Sequence, residues 1–144
     1  MSAEKLTPMM RQYKQLKEKY SDCLLFFRLG DFYEMFFEDA VEGSRLLNIT
    51  LTKRQDVPMC GVPFHAIDGY LGRLTRLGKK VAICEQLSDP ALPGIVQRDV
   101  IRVVTPGTTF DERILDQKSN RFIISVVFIG EKVEKRAIGL AVCD

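Results

Sequence analysis

The chain has 144 residues, of which 46% are hydrophobic and 28% charged, and its formal net charge is +2. This length corresponds to about one domain with enough apolar residues for a core. No apolar run approaches the ~18–20 residues of a membrane helix, and the start Met-Ser-Ala-Glu-Lys lacks the apolar stretch of a secretory signal, so we expect a cytoplasmic protein without membrane contact. Basic residues outnumber acidic ones only between residues 53 and 102, so charge alone neither requires nor excludes a nucleic-acid partner.

The first elements along the chain are a helix and two extended segments. Thr7-Pro8 starts a helix, with a capping hydroxyl and a proline at the first helical position, and apolar spacing extends it to about Lys19. Cys23–Phe27 is an apolar run of strand length. After a turn at Gly30, the stretch Phe32–Met35 is expected to extend or return that strand.

A second helix and a basic loop are predicted next. Residues 37–47 place apolar side chains on one helix face. Ile49–Thr52 alternates as a short strand, which would deliver Lys53-Arg54 into a loop. We interpret Pro58–Pro63 as a rigid loop, because its two prolines forbid a helix.

The clearest helical stripe of the chain follows that loop. It covers 67–77 and ends at Gly78, which suits a C-terminal cap. Val81–Cys84 then predicts a buried strand and Val100–Val104 another strand, and 111–118 is compatible with a short helix.

The end of the chain predicts a β-hairpin in a separate domain. Apolar strands at 122–129 and 137–142 flank a charged turn, after a polar boundary at 116–120. Two strands cannot hold a core of their own, so we expect the beginning of a truncated second domain. The predicted division is 1–115 and 116–144.

Phe32 and Glu34 form the most distinctive pair of side chains. In an extended segment, residues two apart point to the same side, so the ring and the acid would project together. One role for such a pair is testing a nucleic-acid base: the ring opens the stack and the acid bonds a base edge. An aromatic core strand with a solvated glutamate at its rim is the alternative, and these residues alone leave both open.

Six stretches occur in a fixed order: Thr7–Tyr13, Leu24–Glu34, Leu51–Arg54, Pro58–His65, Ala82–Gln86 and Val104–Thr108. Together they resemble the N-terminal region of MutS-type DNA mismatch repair proteins, closely over about residues 5–115. The resemblance implies an α+β fold, in which a mixed β-sheet flanked by about three helices forms a mismatch-recognition domain. The first strands of a ribonuclease-H-like connector domain would follow.

The resemblance also implies partners and cofactors. The partners would be mismatched double-stranded DNA, a second copy in a homodimer whose clamps close around the duplex, and a repair protein of the MutL type. ATP and Mg²⁺ belong to the family's ATPase domain, and no G-x-x-x-x-G-K-[ST] loop occurs here. We therefore expect no cofactor and no enzymatic activity in this segment. The full-length protein would be a bacterial DNA-dependent ATPase in the cytoplasm, associated with the nucleoid.

By this resemblance, Phe32 would enter the minor groove beside a mispaired or unpaired base and Glu34 would hydrogen-bond that base. The other positions expected to contact DNA are Leu29, Lys53, Arg54, Pro58 and Met59, with a solvated turn as the alternative for Lys53 and Arg54. Residue chemistry adds Arg98 and Arg102, which would share a strand face with Val100 while Ile101 and Val103 face the core.

Two other functions compete with DNA reading. A metal-dependent nuclease would use Asp31, Glu34 and His65, although His65 is the only histidine. A protein-binding module would instead expose the aromatic residues Phe32, Tyr33, Phe36 and Phe37.

The cysteines do not predict a metal site or a disulfide. Cys23, Cys60, Cys84 and Cys143 are far apart, without a C-x-x-C pair, so we expect reduced and mostly buried thiols. A zinc site made by Cys60, His65 and Cys84 would lack both the standard spacing and a fourth ligand.

Overall fold

The computed structural model describes residues 6–107, 123–129 and 137–143. Within them lie three helices: α1 (Pro8–Lys19), α2 (Phe37–Leu47) and α3 (Ile67–Arg76), the last preceded by a 3₁₀ turn over Phe64–Ala66. The strands are β1 (Leu24–Leu29), β2 (Phe32–Phe36), β3 (Thr52–Arg54), β4 (Val57–Pro63), β5 (Val81–Gln86), β6 (Arg98–Val104), β7 (Ile123–Ile129) and β8 (Ala137–Cys143).

Six of these strands form one mixed sheet in the order β3-β4-β2-β1-β5-β6. β1 pairs with β5 in parallel, and the other neighbours are antiparallel. Alternate residues of β1 enter two hydrophobic clusters. Leu24 and Phe26 pack with α2 and α3, whereas Leu25 and Phe27 pack with α1. One helix therefore covers one face and two cover the other, which confirms the predicted α+β class.

Local signals at the helix ends behave as predicted. The Thr7 hydroxyl accepts a 3.3 Å hydrogen bond from the Met10 N–H at the start of α1. At the end of α3, Gly78 has φ +76°, and its N–H donates to the Thr75 carbonyl. The next N–H, of Lys79, donates to Leu74, which completes a glycine-based C-terminal cap.

The segment predicted as a rigid loop is strand β4, so that prediction was wrong. Its prolines lie where a ladder tolerates them. Pro63 pairs with Phe32 at the last position of β4, and Pro58 lies beyond the β2 ladder, which reaches only Met59. A two-residue turn with positive φ joins β3 to β4, so Lys53 and Arg54 lie within β3 rather than in a loop.

The predicted faces of β6 were also wrong. Ile101 is 61% exposed and Val103 40% exposed, although both were expected in the core. The pairing of β5 with β6 shifts register between Ile83 and Cys84, which is a β-bulge. Because an extra residue reverses the side-chain alternation beyond it, Val104 is the β6 residue that becomes buried.

The two C-terminal strands pair with each other, as predicted. β7 and β8 form an antiparallel two-stranded sheet, from Ile123 opposite Cys143 to Ile129 opposite Ala137. The expected helix at 111–118, the boundary at 116–120 and the charged turn lie outside the described residues. The division at 115/116 and the ribonuclease-H-like connector remain predictions.

Candidate nucleic-acid interface

The tip of the β1–β2 hairpin presents the exposed ring of Phe32, and the ring of Phe64, 39% exposed, belongs to the segment bonded to that tip. Phe32 is the first residue of β2 and is 45% exposed. Of the neighbouring aromatic residues, Tyr33 and Phe36 are buried and Phe37 is half-buried. The alternative of a broad aromatic docking surface is therefore not supported at this segment, since most of its rings are in the core.

Two hydrogen bonds to backbone carbonyls hold this tip in place. Gly30 occupies the turn with φ +56°, and its carbonyl accepts a 2.5 Å hydrogen bond from the Nε of Arg28. The Asp31 carbonyl accepts a 2.9 Å bond from the N–H of Phe64. These bonds fix the turn that precedes Phe32 to the strand before it and to the chain after β4.

The Arg28 side chain is itself held by aromatic and acidic neighbours. Its guanidinium carbon lies 4.0 Å from the ring centre of Phe64 and 5.5 Å from that of Tyr33. Its Nη1 lies 3.6 Å from the Glu85 carboxylate, which accepts a hydrogen bond from the Tyr33 hydroxyl. Burial, aided by this acid, raises the pKa of Tyr33 to about 12, so the hydroxyl stays a donor at neutral pH.

Glu34 leaves the same face of the sheet as Phe32, as the alternation of β2 requires. It lies opposite Phe27 on one side and Gly61 on the other, and it is half-buried. Burial raises the pKa of its carboxyl above the ordinary value, and the positive charge of Arg54 opposes that shift. The ring of Phe32 is therefore exposed to solvent, whereas the carboxyl of Glu34 is partly buried.

The remaining predicted positions divide between the two faces. Arg54 on β3 and Met59 on β4 share the face of Glu34, since they pair in register with Val57 and Phe36 of that face. Leu29 lies directly opposite Phe32 on this face and packs with the α1 cluster. Lys53 and Pro58 pair with each other and point to the opposite face.

The two arginines of β6 differ in their surroundings. Arg98 is half-buried; it donates 2.8 Å to the Arg28 carbonyl and lies 5.0 Å from the ring centre of Phe27. Burial lowers the pKa of its guanidinium. Arg102 is exposed and pairs with Ile83 beyond the bulge, so the two arginines do not share the predicted face.

Comparison with known proteins decides the family. The family model described as MutS domain I matches residues 7–113. This chain belongs to the MutS family. It is 57% identical over 128 residues to the DNA mismatch repair protein MutS of Treponema denticola, covering 89% of this chain and 14% of that protein.

Two further MutS relatives give the same result. The protein of Ruminiclostridium cellulolyticum is 61% identical over 127 residues, covering 84% of this chain and 14% of the relative. That of Staphylococcus epidermidis is 52% identical over 145 residues, covering 96% of this chain and 16% of the relative. The chain thus spans about one seventh of the length of these MutS proteins.

The described part of this MutS domain offers no site to the metal-dependent alternatives. No group of three or more His, Cys, Asp or Glu side chains within it is arranged to hold a metal ion. Cys60 and Cys84 lie in clusters on opposite faces of the sheet, and His65 is exposed beside Phe64. Burial raises the pKa of both thiols to about 12, so they stay protonated at neutral pH.

Sequence reasoning missed the residues that support the MutS hairpin tip. Arg28, Phe64 and Gly61 were read only as parts of motifs, although they contact the turn or Glu34. The position of Arg28 two residues before the turn glycine was the available signal.

None of the helices that the structure describes is long and apolar enough to cross a membrane.

Proposed function

We propose that this chain is the mismatch-recognition domain of a MutS protein, acting in DNA mismatch repair, and that Phe32 is the wedge with which it probes the duplex. The observation that carries this proposal is the exposed Phe32 ring on a hairpin tip held by Arg28 and Phe64. A wedge must not yield when it meets stacked bases, and a fastened turn supplies that resistance.

DNA flexibility would supply the selectivity. An apolar side chain inserted between base steps kinks the duplex by ~20–90° and costs a few kcal/mol of unstacking. A mispaired or unpaired base has already lost part of its stacking and pairing, so the same kink costs less there. Each 1.4 kcal/mol of difference corresponds to about a tenfold preference.

Glu34 would add discrimination at the base itself. A carboxylate close to phosphates is repelled, so it is tolerated only where a specific donor meets it. When ionised it accepts a base N–H, and when protonated it donates to a purine N7. The raised pKa of Glu34 makes the protonated form more accessible than for a glutamate in water.

The rest of the MutS protein would supply affinity and enzymatic activity. Lys53 and Arg54 are exposed at the sheet edge and suit phosphate contacts, but a net charge of +2 supports only weak binding. We place the ATPase, with its ATP and Mg²⁺, outside this domain, which itself is not an enzyme. A homodimer would assemble the site, and a MutL-type protein would act downstream.

The test compares Phe32→Ala with wild type in a MutS protein of the relatives' length whose domain I is this sequence. Fluorescence anisotropy would measure Kd for a duplex with one G·T mispair and for its paired counterpart. Phe32→Ala should abolish mismatch binding. Leu77→Ala is the matched control: it is also an exposed apolar residue, but it lies after α3, at the sheet end away from the hairpin tip.

Glu34→Gln tests the acid in the same assay. The mismatch-over-paired ratio should fall, mainly because paired DNA binds more tightly once the charge repulsion is removed. Equal affinity of Phe32→Ala and wild type for the mispaired duplex would refute the wedge. An unchanged ratio for Glu34→Gln would refute the role of the acid.

A further inference from the structure

The Glu34 carboxyl occupies the space in which a side chain at Gly61 would lie. A Cβ built on Gly61 would be 2.6 Å from Cδ of Glu34 and 2.9 Å from its Oε1, with Oε2 nearer still. Since these residues face each other across β2 and β4, the carboxyl lies over the backbone of β4 instead of standing out from the sheet.

Space, rather than backbone conformation, explains a glycine at this position. Gly30 and Gly78 have positive φ, which favours glycine, but Gly61 is not among the positive-φ glycines. It lies within a regular β4 ladder, where glycine weakens a strand and has no side chain to pack. What a side chain here would displace is the carboxyl of Glu34.

Other contacts do not hold the carboxyl in place. No hydrogen bond or ion pair from the described residues reaches it. Arg54, on β3 of the same face, attracts its charge, and the buried Cys60 thiol also lies close enough to interact with it electrostatically. The acceptor oxygens are therefore available to a ligand. Their position depends on the room above Gly61 and on the attraction of Arg54.

We propose that Gly61 is a specificity-determining position of this domain: by leaving room over β4, it sets where the Glu34 carboxyl stands beside the wedge. The inference rests on the proposed function. Alanine at 61 would move the carboxyl, since the colliding atoms belong to the far end of a flexible side chain while β4 is anchored on both sides. The acid would then leave the position over β4 from which the proposed function has it meet the base.

The experiment is a double-mutant cycle in a MutS protein whose domain I is this sequence. The variants are Gly61→Ala, Glu34→Ala and both together, with Gly69→Ala as the matched control because its added Cβ meets nothing within 4 Å. The probes are one G·T duplex and its paired counterpart. Gly61→Ala should lower the mismatch-over-paired ratio by about tenfold, the size expected for losing one charge-assisted hydrogen bond.

The coupling to Glu34 is the decisive part of the cycle. With Glu34→Ala in place, adding Gly61→Ala should change the ratio by less than about twofold, since no carboxyl remains to be displaced. A wild-type or higher ratio for Gly61→Ala, or an equal fall in both backgrounds, would overturn the inference. If Phe32→Ala and Glu34→Ala leave the ratio unchanged, the proposed function fails and the inference fails with it.

Thermal unfolding of the same variants separates an effect on the Glu34 carboxyl from a general loss of stability. Gly61→Ala should lower Tm more when Glu34 is present than in the Glu34→Ala background, where no carboxyl meets the added methyl. An equal loss of Tm in both backgrounds would show that the added methyl collides with something other than the carboxyl, which also overturns the inference.

Discussion

The Nε of Arg98 donates a 2.8 Å hydrogen bond to the backbone carbonyl of Arg28, which connects edge strand β6 to the strand that leads into the hairpin tip. The same guanidinium donates to the carbonyl of Val96 and to Gln12 of α1. Its contacts in the described structure are thus to protein, which favours a role in holding the hairpin tip over a role in contacting phosphates.

Arg98→Ala should therefore lower the free energy of unfolding by about 2 kcal/mol, through lost hydrogen bonds and the lost contact with Phe27. In the MutS protein it should weaken mismatch binding without changing the slope of log Kd against log salt. Arg102→Ala is the exposed control on the same strand and should leave stability unchanged. A salt slope reduced by about one in Arg98→Ala would instead show a phosphate contact.

Asp39 provides a test of the core between α1 and the sheet, on the face that carries Phe32 and Glu34. It is buried at the start of α2, and its carboxylate accepts hydrogen bonds from the Tyr13 hydroxyl at 3.1 Å and the Leu25 N–H at 3.0 Å. The Lys17 ammonium lies 2.9 Å away. Asp39→Ala leaves the buried Leu25 N–H without its acceptor and removes one partner each from the Tyr13 hydroxyl and the Lys17 ammonium, so we expect the free energy of unfolding to fall by about 3 kcal/mol.

Urea denaturation of the 144-residue chain measures that loss. The control is Asp22→Ala, because Asp22 also pairs with a lysine, Lys80 at 2.7 Å, but on the exposed surface. An exposed pair adds little stability, so this variant should unfold like wild type. Equal losses for the two variants would contradict a special role for the buried carboxylate.

Glu34 should make stability depend on pH. Its pKa is raised by burial, so between the ordinary pKa of about 4.3 and the folded value the native state holds a proton that the unfolded chain has lost. Stability from this group is present at low pH and is lost as pH rises through that window. Glu34→Gln should therefore be more stable than wild type at pH 7, with the difference vanishing near pH 4. Urea titrations at the two pH values check this, and a less stable variant at pH 7 would contradict it.

The isolated chain should bind DNA poorly. With a net charge of +2 it neutralises few phosphates, and it spans about one seventh of its MutS relatives. We expect weak or undetectable binding of residues 1–144 to a duplex with one G·T mispair, by anisotropy at physiological salt. The matched comparison is the longer MutS protein carrying the same domain. Nanomolar and mismatch-selective binding by the short chain would show that it is sufficient alone.

Features set by local chemistry could be predicted from the sequence. Thr7 and Pro8 start α1, and Gly78 ends α3, because a capping hydroxyl, a fixed φ and a left-handed glycine act within a few residues. The order of the motifs likewise determined the MutS family, and with it the choice of Phe32 and Glu34. None of this required knowledge of which strands lie side by side.

Tertiary structure decided what depends on partners distant in the chain. Pro58–Pro63 is extended because β2 and β3 flank it, although its prolines suggested a loop. A bulge against β5 turned Ile101 outward, and a carboxyl from β2 filled the space over Gly61. Pairing register and the room above a strand arise only when separate segments meet. The residue proposed as the wedge could therefore be chosen from the sequence, whereas the placement of the Glu34 carboxyl could not.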